Sequence, residues 1–186
     1  GNIVSSVPTP VNKVKALVSN IALEGIYFFS GFLTIYAVNR ATGMLNGVTD
    51  GIKYIQRDEL THLEIFSNAF NTVKVERPEL FTPALIDEYR ALLDDSAKHE
   101  INWFKYTVGD GMPGATIEQG TEFIWHRAEK CANSIELSIN AKYQRQPIPW
   151  FDTISAINGV QTNFFEGKPI NYTENRPTFS RRSRTA

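Results

Sequence analysis

The chain has 186 residues, the size of one domain, and its 42% hydrophobic and 21% charged residues can build a core and exclude an intrinsically disordered polymer. Nineteen basic and 20 acidic side chains give a net charge of −1, which argues against a binder of nucleic acid or of anionic membranes. The single cysteine, Cys131, excludes an intramolecular disulfide and a multi-cysteine zinc site, and it indicates a reducing compartment, the cytoplasm.

Four long helical segments are predicted in chain order. An extended lead-in over residues 1–12 contains prolines at positions 8 and 10. Helices then cover residues 13–40, 46–75, 83–108 and 116–143, and breakers such as the glycine-rich 109–114 separate them. The longest apolar run, 26–38, is shorter than the roughly 20 residues of a membrane span, so we predict a buried helix. The helical portion is expected to extend over 13–160, and residues 161–186 form a flexible tail.

Two helical faces carry polar residues at the centre of an apolar stripe. In the second segment the stripe steps by three and four residues: Ile52, Ile55, Glu59, His62, Phe66 and Ala69. The first segment repeats the pattern: Leu17, Ile21, Glu24, Phe28, Phe32 and Ile35. An unpaired carboxylate in a core costs several kcal/mol, so these positions require a partner.

A bound metal would supply that partner for both stripes. Glu59 and His62 form a Glu-x-x-His pair one turn apart, and Glu24 adds a carboxylate from the preceding helix. This is half of the ligand set of ferritin-like dimetal bundles. The alternative is that Glu24 and His62 are core residues satisfied by each other or by Arg57, with Glu59 near the surface. The pattern favours an all-α, ferritin-like helical bundle.

Several segments resemble the small subunit of class I ribonucleotide reductase. They are LEGIYFFSGF at 23–32 and IKYIQRDELTH at 52–62, followed by HEINW at 99–103, PIPW at 147–150 and NFFE at 163–166. The resemblance covers nearly the whole chain but only the C-terminal half or so of a family member. It implies a part in the reduction of ribonucleotides to deoxyribonucleotides.

The resemblance assigns roles to individual residues. Glu24, Glu59 and His62 would ligate one ion of a dinuclear centre, Fe/Fe in the first instance, although Mn/Mn or Mn/Fe would suit the same ligands. Phe28 and Phe32 would wall off the apolar pocket in which the radical is generated.

Radical transfer is implied for two further residues. Asp58 would orient His62 and lie on the transfer route, and the alternative is a solvated carboxylate paired with Arg57 or Lys53. Tyr172 would relay the radical to the large subunit, and the alternative is a tail tyrosine without this role. The basic end of the chain, SRRSRTA at 180–186, departs from the acidic or apolar tails of the family.

The other half of the ligand set is missing from the sequence. His99 and His126 have no carboxylate three residues earlier. We therefore expect an N-terminal fragment of a split small subunit to supply the remaining ligands and complete the bundle. Other expected partners are the large catalytic subunit and a second small subunit, with no nucleic acid and no membrane. Two alternatives stay open: another ferritin-like dimetal oxidase or iron store, and an inactive helical scaffold.

Overall fold

The computed structural model describes residues 9–139 and 141–155, and no β-strand occurs within them. The main elements are α1 (Pro10–Ala22), a π-turn (Leu23–Tyr27), α2 (Phe28–Thr42), α3 (Asn46–Glu76), α4 (Pro83–Val108), α5 (Ile117–Ser134) and α6 (Pro149–Ser155). Short 3-10 turns occupy Pro78–Leu80 and Ala141–Tyr143. The all-α prediction is confirmed, and the predicted tail over 161–186 lies outside the described residues.

Helix α1 begins inside the segment predicted as an extended lead-in. The Thr9 side chain accepts a hydrogen bond from the Asn12 N–H, and Pro10 occupies the first turn. Proline is tolerated there because its missing N–H would have had no partner within the helix. The helix therefore starts three residues before the predicted boundary. Thr82 and Pro83 repeat this arrangement at the start of α4.

Helix α5 ends earlier than the predicted position 143. Glu136 has a positive φ of 57°, and the Leu137 N–H bonds to the carbonyl of Ala132. This left-handed termination satisfies carbonyls of the last turn and stops the helix without a glycine. The end was missed because a non-glycine residue in this conformation leaves little trace in the sequence.

The core forms where α5 packs against α4 and where α1 packs against α3 and α4. Its largest side chains with almost no exposed surface are Tyr89, Phe70 and Phe104, and a second cluster between α2, α5 and α6 buries Tyr36, Phe29, Phe123 and Phe151. The α1–α2 stretch, Pro10–Thr42, is long and apolar enough to cross a membrane by length and composition alone. Because 61% of its most apolar window is buried, packing into this core accounts for that composition.

Helix α3 buries little of its surface in this chain. Only four of its 31 residues are buried: Thr49, Gln56, Ser67 and Phe70. The stripe predicted to face the core is partly exposed instead, since Ile55 is 46% exposed and the His62 side chain is 50% exposed. Helical periodicity identifies an apolar face, but it does not specify what covers that face.

Candidate metal centre

Glu24 enters the candidate site from the π-turn between α1 and α2. Glu24 is buried, and its Oε2 atom has no hydrogen-bond partner among the residues that the structure describes. Burial, together with the neighbouring Glu59 carboxylate, raises the pKa of Glu24 to about 7, because both disfavour the charged form. Such a carboxylate is only about half ionised at neutral pH, and a nearby positive charge would favour its charged form.

Glu59 and His62 lie one turn apart on α3 and face Glu24. His62 Nδ1 is 2.8 Å from Glu59 Oε2 and 3.7 Å from Glu24 Oε2. The hydrogen bond to Glu59 raises the pKa of His62, and the charge of Glu24 acts in the same direction. The three residues predicted as ligands are therefore brought together by the fold.

One ligand atom from each of the three residues lies within 4.8 Å of the other two. Two carboxylate oxygens and an imidazole nitrogen are a donor set that suits iron, manganese or zinc. A cation at this point would relieve the repulsion between Glu24 and Glu59 and give the buried Glu24 Oε2 a partner. The residues fit a metal ion, and three protein ligands leave coordination positions for groups from elsewhere.

Among the described residues, neither Glu24 nor His62 forms a hydrogen bond or ion pair with Arg57, which was the alternative partner for both. Arg57 instead donates from Nε and Nη2 to Asp58 Oδ1, at 3.1 and 2.9 Å. Asp58 is exposed, and among the described residues its hydrogen bonds go to Arg57 and not to His62. Asp58 is thus paired with Arg57, which is the alternative given above for this residue. The role of Asp58 in radical transfer stays a prediction.

The two predicted pocket phenylalanines differ in burial. Phe32 is 5% exposed and belongs to the core cluster, whereas Phe28, one turn from Glu24, is 38% exposed. Their rings stack with centroids 6.4 Å apart. Tyr172 lies outside the described residues, and its role stays a prediction too.

The sequence patterns do not reveal the residues that surround the π-turn. Arg127 on α5 donates from Nε to the carbonyl of Gly25 at 2.9 Å. Ser30 donates to the buried carboxylate of Glu100, whose pKa is raised by burial. An arginine within the largely apolar stretch 123–128 was the available signal, but its partner is a backbone atom 102 residues away.

A helical bundle that sets a glutamate of one helix against a Glu-x-x-His pair of the next belongs to the ferritin-like class of carboxylate metal proteins. The family described as "Ribonucleotide reductase, small chain" matches residues 3–146. The chain therefore belongs to the ribonucleotide reductase small-subunit family.

Individual relatives agree with this assignment. The ribonucleoside-diphosphate reductase subunit beta of Treponema pallidum is 32% identical over 162 residues, which are 86% of this chain and 46% of that protein. Its counterpart from Halalkalibacterium halodurans is 33% identical over 89% of this chain and 48% of its own. The R2 subunit of ribonucleotide reductase from Clostridium botulinum superposes with a TM-score of 0.77 at 32% identity, covering 81% of this chain and 47% of that chain. The chain spans about half the length of the curated relatives it matches.

Proposed function

We propose that this chain contributes one half of a dinuclear metal centre, with Glu24, Glu59 and His62 as ligands of one ion. The observation that carries the proposal is the closeness of their ligand atoms, all within 4.8 Å. When bound, such a metal pair supplies one-electron redox chemistry with dioxygen. Iron in both positions is the first expectation, and manganese in one or both suits the same ligands.

The complete protein then serves the reduction of ribonucleotides to deoxyribonucleotides as a class I small subunit. Membership of the family and the names of the relatives support this activity. The partners that follow from it are a large catalytic subunit and a second small subunit, in the cytoplasm.

We propose that an N-terminal fragment of the same subunit supplies the remaining metal ligands, because the 186 residues match only about half the length of their relatives. An exposed apolar face around the ligands supports this step. Phe28, Val48 and Ile55 are 38%, 48% and 46% exposed, and helical spacing places them on the faces of Glu24 and Glu59. A contiguous apolar face beside a charged cluster is what a partner helix would cover.

The other predicted residues then act on this centre. Phe28 and Phe32 would keep water from the metal once the face is covered, because helical spacing places them four and eight residues after Glu24 and their rings stack. Asp58 would orient His62 by a hydrogen bond and lie on the radical-transfer route to the large subunit, which requires its side chain to exchange Arg57 for His62 in the full assembly. Tyr172 is the next relay beyond it.

Metal content is the direct test of the centre. The chain purified with its N-terminal partner is expected to hold two metal ions, whereas this chain alone with iron and dioxygen should form no dinuclear centre. Glu59→Gln should lower the Mn²⁺ affinity at least tenfold, because a ligating carboxylate is lost. Glu64→Gln, at an exposed position of the same helix, is the matched control. A dinuclear centre formed by the chain alone contradicts the split arrangement, and a complex without metal identifies a scaffold.

Radical transfer is tested by a second variant. Asp58→Asn in the assembled complex should abolish nucleotide reduction and leave the metal content unchanged, while Glu64→Gln retains both. Full nucleotide reduction in Asp58→Asn would remove Asp58 from the route. If the complex holds metal and reduces dioxygen, but neither the unsubstituted protein nor a variant reduces nucleotides, the protein is a different ferritin-like oxidase.

A further inference from the structure

The π-turn that carries Glu24 is held by side chains from neighbouring elements. A π-turn offsets the helical hydrogen bonds and so alters which backbone groups are paired. Side chains bond to carbonyl oxygens in and beside it: Cys131 Sγ donates to Ile21 O at 3.7 Å and Arg127 Nε to Gly25 O at 2.9 Å. Both donors belong to α5, so this helix supports the distorted segment.

Burying the charge of Arg127 costs free energy that an apolar residue packed in the same place would not. Arg127 is 6% exposed, and its guanidinium carbon lies 3.5 Å from the centroid of the Phe29 ring. Its Nη2 atom is buried without a hydrogen-bond partner among the described residues. A buried charge with an incompletely satisfied donor destabilises the folded state. A buried arginine is therefore expected where the hydrogen bond that it does make has a role. The hydrogen bond that it does make goes to the peptide next to Glu24.

The approach of α5 to the π-turn is close as well. A Cβ atom on Gly25 would lie 2.2 Å from Cys131 Sγ, so only glycine allows this packing. Glu24 itself makes no hydrogen bond through Oε2 within the described part of the chain. Its carboxylate is therefore placed by its backbone, and its backbone by the contacts with α5.

We propose that Arg127 is a positioning residue, which fixes the π-turn through the Gly25 carbonyl and so holds Glu24 opposite Glu59 and His62. The inference rests on the proposed function, because it gives Glu24 the role of a metal ligand. Arg127 does not touch the metal. Its effect on metal binding passes through the peptide that follows Glu24.

Two substitutions separate the hydrogen bond from the charge. Arg127→Gln places an amide nitrogen at the position of Nε and removes the charge. Arg127→Met has a similar reach but no donor. The assembled protein is titrated with Mn²⁺, and free Mn²⁺ is counted by electron paramagnetic resonance. We expect R127M to weaken Mn²⁺ binding at least tenfold and R127Q to stay within threefold of the unsubstituted protein.

A matched control separates positioning from loss of stability. Phe123→Leu, at a buried position of the same helix, destabilises the core without touching the Gly25 carbonyl. It should lower the melting temperature and leave Mn²⁺ affinity within twofold. The proposal is overturned if R127M also stays within twofold, or if R127Q loses tenfold. The Mn²⁺ affinity of R127Q tests the proposal even if R127M does not fold.

A metal-free measurement keeps this inference distinct from the proposed function. Amide hydrogen exchange at residues 25–28 should be faster in R127M than in R127Q and the unsubstituted protein. If the unsubstituted complex binds no Mn²⁺, the proposed function fails while the exchange experiment still tests the anchor. If the complex binds Mn²⁺ equally with and without the Arg127 donor, only the positioning role fails.

Discussion

Replacing Gly25 by alanine tests the close contact between α5 and the π-turn. The new Cβ atom would lie 2.2 Å from Cys131 Sγ and 3.3 Å from the nearest methyl carbon of Leu63. Normal contacts between such atoms are about 3.5–4.0 Å, so the sulfur and the turn must separate by more than 1 Å. Overpacking of this kind costs about 1–3 kcal/mol. Because the overlap exceeds 1 Å, we expect the upper part of that range, about 2–3 kcal/mol, and the helical preference of alanine over glycine returns about 1 kcal/mol, so Gly25→Ala should destabilise by about 1–2 kcal/mol.

Removing the sulfur should rescue the substitution. In a Cys131→Ala background the 2.2 Å overlap is gone and the 3.3 Å contacts with the flexible Leu63 side chain remain, so the same change should be close to neutral. The coupling between the two sites should be about 1–3 kcal/mol in a double-mutant cycle. Unfolding free energies come from urea denaturation followed by circular dichroism, with an unchanged slope as the condition for comparison.

Gly31→Ala is the control for the intrinsic effect of alanine. A Cβ atom at Gly31 has nothing within 4 Å, so this variant should gain about 0.5–1 kcal/mol. The reasoning is refuted if Gly25→Ala is as stable as the unsubstituted protein, or if its cost is the same with and without the Cys131 sulfur. Either result would mean that α5 does not approach the π-turn as closely as described.

Three further predictions concern buried groups elsewhere. Burial raises the pKa of Cys131 to about 11, so the thiol should react with iodoacetamide at pH 8 only as fast as the protein opens, and urea should accelerate labelling; rapid labelling of the native protein would contradict this. Burial also raises the pKa of Glu100 above 4.5, so the folded state holds that proton more tightly and stability from this group is lost as pH rises. Glu100→Gln should therefore stabilise more at pH 8 than at pH 4.5 in urea melts, and a gain independent of pH would argue against a buried charge. Tyr36→Phe leaves Gln56 Oε1 without its 2.8 Å donor and should cost about 1–3 kcal/mol in the same assay, with a cost below 0.5 kcal/mol as the contrary result.

The helical elements were largely predictable because their signals are local. Residues 46–75 and 83–108 were expected to be helical, and α3 and α4 cover Asn46–Glu76 and Pro83–Val108. Apolar spacing of three and four residues defines such helices, and prolines and glycines end them. The same spacing put Glu24, Glu59 and His62 on apolar faces, from which their closeness followed once two helices were packed together.

The burial of the stripe on α3 was predicted wrongly for a physical reason. Ile55 and His62 belong to an apolar stripe, but a stripe records only that some surface packs there. Within the described residues that surface is partly open. The partner of Asp58 shows the same limit, since the sequence alone does not decide whether its carboxylate pairs with Arg57 or with His62.

Helix positions, the central glutamates and the family were accessible before any coordinates, because each depends on residues close together along the chain. The π-turn, the left-handed stop at Glu136 and the anchor from Arg127 to Gly25 were not. The stop at Glu136 is local but has no glycine to mark it. The anchor arises when α5 packs against a segment about 100 residues earlier, and a hydrogen bond to a backbone carbonyl leaves no side-chain pattern at its acceptor. Periodicity therefore located the candidate ligands, and only the tertiary structure brought their ligand atoms within 4.8 Å of one another.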